Sequence, residues 1–181
     1  MEQHFKNINS FKKIIIVLII SFSSPQLTFA ELPYYLDFKF ILTESVAGKK
    51  AQNDLKNKLE NGLKDLTKKE KNLQSEEKKI IFQKKLISDD EYKKKVTELR
   101  KKVIDLQKAK KNLLDTVAKQ RSKARSELLK NLNPLIKKYM EEKKIRYVMD
   151  KKSLILADES LDITQEIIKR LNDKIKSVKL N

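Results

Sequence analysis

The residues of this chain that could do chemistry together are three carboxylates, Asp158, Glu159 and Asp162. They gather in the stretch SLILADESLDIT, residues 153–164. Such a cluster could hold a cation or run acid–base catalysis. Its usual companions are missing. The only His is His4, Cys is absent, and Gly occurs only at positions 48 and 62. That excludes an ordinary zinc site, a Ser–His or Cys–His pair and a glycine-rich phosphate loop. The acids do not follow EF-hand spacing either. An enzyme would have to rest on Asp, Glu, Lys or Ser alone. The chain therefore reads as non-enzymatic, with no catalytic residue, metal ligand or cofactor.

The same acids have a structural use. A helix starting near residue 164 needs acceptors for its first N–H groups. With Thr164 as the N-cap, Ile163 and Ile168 take the positions of a hydrophobic staple. With Asp162 as the cap, Gln165 completes a box-like pair. The strongly apolar staple favours Thr164.

The elements that must position this stretch begin after a leader. Lys6, Lys12 and Lys13 precede an apolar run from Ile14 to Phe22, and Thr28 and Ala30 stand at −3 and −1 of a small-residue cleavage site. This is the layout of a secretory signal peptide over residues 1–30, cut between Ala30 and Glu31. The run is far shorter than the ~20 apolar residues of a spanning helix. The expectation is an exported, periplasmic chain beginning at Glu31.

Charge narrows the partners. The formal net charge is +17 and 37% of residues are charged. So basic a chain attracts anionic partners: acidic polypeptides, lipid head groups or nucleic acid. Only five of its 42 basic residues are Arg, the side chain whose fork reads guanine. With export, that argues against a specific nucleic-acid target.

Residues 34–38, YYLDF, alternate as a short strand should, with Tyr34, Leu36 and Phe38 on one face. A helical turn follows, with Gly48 as a hinge or cap. From Ala51 to Leu86, Leu59, Leu66, Leu73 and Ile80 recur every seven residues. Leu55 and Leu63, then Glu70 and Glu77, make the companion row. In the next run Tyr92, Val96, Leu99, Val103, Leu106, Leu113 and Val117 follow steps of four and three. Heptads over two runs predict an antiparallel coiled-coil hairpin. The first arm, at 1.5 Å per residue, is about 54 Å long. Between the runs Ser88 and Glu91 form a capping box, with Ile87 and Tyr92 as its staple. Asn133-Pro134 predicts a kink or a new helix start.

Two further strands are expected, 145–150 with Ile145, Tyr147 and Met149 on one face, and 154–157 carrying Leu154 and Leu156. A final helix would bury Ile167, Ile168, Leu171, Ile175 and Val178. The fold class is thus α+β. Residues 31–48 and 134–181 make a small β-rich assembly body, and 49–133 a long helical hairpin, or tentacle. The strand material lies at both ends of the exported chain, so the ends must meet. Such a sheet buries little area alone, which points to a symmetric oligomer built through the body residues Tyr34, Leu36, Phe38, Tyr147, Met149, Leu154 and Leu156.

Two blocks, YLDFKFILTESVAGKKAQNDL at 35–55 and YVMDKKSLILADESLDITQEIIKRLN at 147–172, resemble the Skp/OmpH family of periplasmic chaperones. The middle resembles it in length and heptad character. Pro33 and Tyr35 depart from the family's usual residues, Lys144 stands where Gly is frequent, and the tail DKIKSVKLN runs past its usual end. The resemblance implies a homotrimer shaped like a jellyfish, three tentacles around a cavity. It also implies a holdase that works without ATP, keeping unfolded outer-membrane proteins from aggregating. Candidate client contacts are the apolar Phe82 and Leu86 near the hairpin turn and the cationic Lys93, Lys94, Lys101 and Lys102. The competing reading is a coiled coil that binds an anionic surface, lipopolysaccharide or membrane lipid, with no holdase role.

Overall fold

The computed structural model describes residues 33–180. The expected signal peptide, with its expected cleavage between Ala30 and Glu31, lies outside them. Strand β1 is Tyr34–Leu36. Helix α1 is Phe38–Glu44 and helix α2 is Val46–Gln83. Helix α3 is Asp89–Lys143, strand β2 Val148–Asp150, and helix α4 Thr164–Lys174. The described residues are mostly helical, with one two-stranded sheet among them.

That sheet joins the two ends of the described chain. β1 and β2 pair in parallel, with Tyr34, Tyr35 and Leu36 opposite Val148, Met149 and Asp150. A parallel pair needs a long crossover, and the α2–α3 hairpin is that crossover. The core sits in this foot. Leu36, Ile41, Leu132, Ile145, Ile167 and Leu171 are all buried, drawn from four elements and the link after α3.

Several expectations change here. β1 stops at Leu36, because Asp37 turns the chain into α1 by accepting from the Phe40 N–H at 2.7 Å. Phe38 is therefore the first residue of a helix rather than a third strand position. The strand at 145–150 shrinks to 148–150. Ile145 is instead a buried core residue whose N–H closes α3 on the Met140 carbonyl at 2.8 Å, and Tyr147 is half exposed before the strand. Residues 154–157 form no strand. Asp150 caps a 3-10 turn at Lys151–Ser153 that carries the chain off the sheet, leaving these residues no neighbouring strand. Helix α4 ends at Lys174, so Val178 lies in the tail beyond it.

Asn133-Pro134 does not break the second arm. α3 runs through it to Lys143, so the body–tentacle boundary at 133/134 falls inside one helix. Pro134 lies on the exposed side, between the buried Leu132 and Tyr139. The carbonyl it leaves without an intrahelical partner is that of Lys130, an exposed residue, where water can satisfy it. The helix ends ten residues later at Lys144, which adopts the left-handed conformation (φ 55°) and turns its N–H back on Glu141 and Met140. A left-handed cap is the usual place for Gly.

Candidate functional site

The arms owe their contact to a narrow seam. Leu55, Leu59, Gly62, Leu66, Leu73 and Glu76 turn inward on α2. The companion row is thus Leu55–Gly62–Glu76, shifted by one from Leu63, Glu70 and Glu77, which stay exposed. Gly62 explains the shift. A Cβ there would lie 2.6 Å from Leu113 Cδ2, so the bare glycine is the seat for Leu113 of the other arm. Two polar ties cross the seam. Lys102 Nζ meets Glu76 Oε1 at 2.6 Å, and Lys58 Nζ donates to Gln120 Oε1 at 3.0 Å. Val103, expected in the seam, is 41% exposed.

Gly48 works by close approach too. It is buried near the start of α2, and a Cβ would fall 2.1 Å from the Leu42 carbonyl oxygen. Its φ is not positive, so it is a packing contact rather than the expected hinge. Ser45, fully buried, caps α2 through the Gly48 N–H at 3.2 Å.

At the far end, Ser88 caps α3 by accepting from the Glu91 N–H at 3.3 Å, with Asp89, Asp90 and Glu91 in the first turn. Beside this turn Phe82 is 78% and Leu86 71% exposed, and Ile81 is 60% exposed. Local packing across the turn does not cover them. Ile81 was absent from the expected contacts, although its place just off the buried Ile80 row could have indicated it. Of the four candidate lysines, Lys102 is held by Glu76 and Lys93 stands 3.8 Å from Asp90. Lys94 and Lys101 are exposed, with no ion pair among the described residues. The arm ends thus offer bare apolar side chains among long cationic ones, a surface suited to many weak contacts.

Two of the three clustered carboxylates, Asp158 and Asp162, are occupied by backbone N–H groups. Asp158 accepts from the Ser160 N–H at 2.9 Å, and that bond holds its pKa below the usual carboxylate value. Asp162 accepts from the Thr164 N–H at 2.9 Å, from the Thr164 hydroxyl, and from Lys151 Nζ at 3.0 Å. Burial pushes the Asp162 carboxyl up, but the Thr164 and Lys151 hydrogen bonds outweigh it and bring it below its ordinary value. Thr164 is not the cap. The cap position falls to Ile163, without a side-chain bond, and Asp162 does the capping from one residue earlier. The Thr164 hydroxyl is engaged elsewhere, accepting from the Asp37 N–H at 2.8 Å. With the Ile163 N–H on the Tyr35 carbonyl at 2.9 Å, this stitches the last helix to the first strand. No cluster of acids or His able to hold a metal occurs among the described residues.

A second stitch is Arg170. It meets Glu142 at 2.7 Å and Glu166 at 3.0 Å while lying 4.8 Å from the Tyr139 ring centre. The Glu142 bond, then the Glu166 bond, raise its pKa further. Burial, aided by the Glu166 charge, raises that of Tyr139.

The body residues divide. Tyr34, Leu36 and Met149 lie in the sheet, Leu154 is half-buried beyond it, and Leu156 is 91% exposed beside Ile155, which is fully exposed. An open groove of about 770 Å³ lies where the arms leave the foot, its floor made by Ala51, Leu55, Ala124 and Leu128.

No curated protein sequence matches the chain significantly. Its fold is similar to that of a crystal structure described as a "putative outer membrane chaperone (OmpH-like)" from Caulobacter crescentus CB15 (TM-score 0.77, 23% identity, 82% of this chain and 89% of that one). Residues 34–171, from the start of β1 into α4, match the family described as outer membrane protein (OmpH-like). By this match, which spans the strand-joined foot and the long hairpin, the chain belongs to the OmpH-like family.

Proposed function

We propose that this protein is a holdase that works without ATP in the periplasm, binding unfolded outer-membrane proteins and keeping them from aggregating in transit. The observation that carries this reading is the pair of long arms, joined by a thin seam and ending in exposed Ile81, Phe82 and Leu86 among lysines. Long-range attraction draws in acidic chains. Scattered apolar contacts then hold them at many points, each weak, so release needs no fuel. Family membership supports the same reading.

The working form is a trimer with arms side by side around a cavity. The fully exposed Ile155 and the sparse two-stranded sheet support an assembled foot, since a sheet this small is marginal alone. Light scattering on the exported protein tests it, and a monomer at working concentrations would refute it. The rival reading, an anionic-surface binder, draws on the same tip. Vesicles with and without anionic lipid, run beside an aggregation assay on an unfolded β-barrel protein, separate the two. Suppressed aggregation supports the holdase. Binding to anionic vesicles without suppression supports the rival.

A further inference from the structure

The groove at the root of the arms joins an apolar floor to a cationic rim. The floor is dented by the small Ala51 and Ala124, and Phe38 and Leu42 stand half-buried on its wall. Cations line it on both sides, Lys56, Arg121 and Arg125 from the arms, Lys39 and Lys152 from the foot. Its one acid, Asp150, is already bound to Lys152 at 3.4 Å. Lys39, Arg121 and Arg125 are exposed and have no ion pair among the described residues. The arm tip is different. There Phe82 and Leu86 stand beside the acids of the first turn of α3, Asp89, Asp90 and Glu91. A carboxylate is repelled by those acids at the tip and drawn to the rim of the groove.

We propose that the groove is a second holding site, taking a short extended client segment whose bulky apolar side chains are flanked by carboxylates, and that one client chain spans groove and tip together. The inference rests on the holdase reading above and names the segment and the place that holds it. The apolar side chains enter over Ala51 and Ala124. The flanking carboxylates meet Arg121 and Arg125 on one side and Lys39 on the other, and a guanidinium can take a carboxylate through two N–H groups. Charge complementarity selects this occupant, since a purely apolar segment gains nothing from the rim. The volume, about 770 Å³, suits a few side chains rather than a folded partner. Leu55 and Phe82 lie 27 residues apart on one helix, which puts the groove about 40 Å from the tip. An extended chain covers at most about 3.5 Å per residue, so about 12 client residues must separate the two contacts. Once the client is long enough, the second contact is intramolecular and strengthens the first, and a shorter client gains nothing.

The test titrates fluorescent peptides with the chain from Glu31 onward at low salt and reads anisotropy. One peptide carries a single segment, two bulky apolar residues between acids. Two others add a purely apolar segment after a Gly/Ser spacer of about 4 or about 20 residues. The long tandem should bind about tenfold tighter than the single segment, and the short tandem within about twofold of it. Arg121→Glu/Arg125→Glu should remove that gain and weaken the single segment about fivefold, while Lys110→Glu/Lys111→Glu, the same charge change on the same helix, should cost less than about twofold. Circular dichroism checks that both variants stay helical. The chain has no cysteine, so a photocrosslinker on Asn53→Cys, at the groove, reports cleanly and should label the acidic segment. Equal affinity of the two tandems, equal losses in the two variants, or labelling of another copy of the chain instead of the peptide overturns the inference. A wild-type protein that still keeps an unfolded β-barrel protein from aggregating then loses the groove and keeps the holdase reading. One that suppresses no aggregation loses both.

Discussion

Gly62 lies mid-helix, where glycine is a poor choice by about 1 kcal/mol relative to alanine. Ordinarily Gly62→Ala would stabilise the arm by about that much. The structure reverses the expectation. The new Cβ would sit 2.6 and 2.7 Å from the two Leu113 methyl carbons, well inside contact distance. Leu113 would have to leave its seat, and overpacking of this kind costs about 1–3 kcal/mol. The net change is therefore a loss of up to about 2 kcal/mol. Removing the obstruction should restore the ordinary sign. In a Leu113→Ala background, Gly62→Ala should gain about 1 kcal/mol. The double-mutant cycle should thus show a coupling of about 1–3 kcal/mol between residues 51 positions apart in sequence. Urea unfolding followed by far-ultraviolet circular dichroism measures it, at one protein concentration throughout, since the proposed assembly would make stability concentration-dependent. An equal gain of about 1 kcal/mol in both backgrounds would show that the arms do not meet through Gly62 and Leu113.

The left-handed Lys144 makes Lys144→Gly stabilising by about 1 kcal/mol, seen as a higher urea midpoint, provided nothing else holds that turn. Asp162 has a lowered folded-state pKa, so its contribution is fully present above the unfolded value near pH 4 and is lost as pH falls through the folded one. Thermal melts between about pH 2 and pH 7 should show Asp162→Asn less stable than wild type at neutral pH, with the difference narrowing in acid. Phe82→Ser with Leu86→Ser should weaken capture of an unfolded β-barrel protein several-fold while leaving the helical circular dichroism signal unchanged. Raising salt from about 0.05 to 0.5 M should weaken capture too, because screening shortens the reach of the lysines, and capture that ignores salt would remove charge from the mechanism.

What the sequence makes legible follows physical range. The Leu59–Leu66–Leu73–Ile80 row was readable because a heptad repeat is written locally in residue type. Its companion row was misread by one position, since the seam there is marked by Gly62, whose role is an absent side chain. The Ser88 cap was readable for the same local reason as the heptads. At the last helix both Thr164 and Asp162 were candidate caps, and the preference for Thr164 failed because its hydroxyl is claimed by Asp37, far away in sequence. LILA has the apolar run of a strand, but a strand exists only beside another, and the 3-10 turn at 151–153 takes it away from β2. Pro134 looked like a break because its exposed side could not be seen from sequence. The exposure of Phe82 and Leu86 was legible from their place by the turn, whereas the groove depends on two helices and the foot coming together.

The holdase reading stands or falls on one aggregation assay. An unfolded outer-membrane β-barrel protein is diluted from urea into buffer without nucleotide, with the chain from Glu31 onward in rising molar excess, and light scattering is followed. The account predicts scattering that falls towards baseline as the excess rises, at low salt and with no ATP present. Scattering that stays unchanged at every ratio would contradict it.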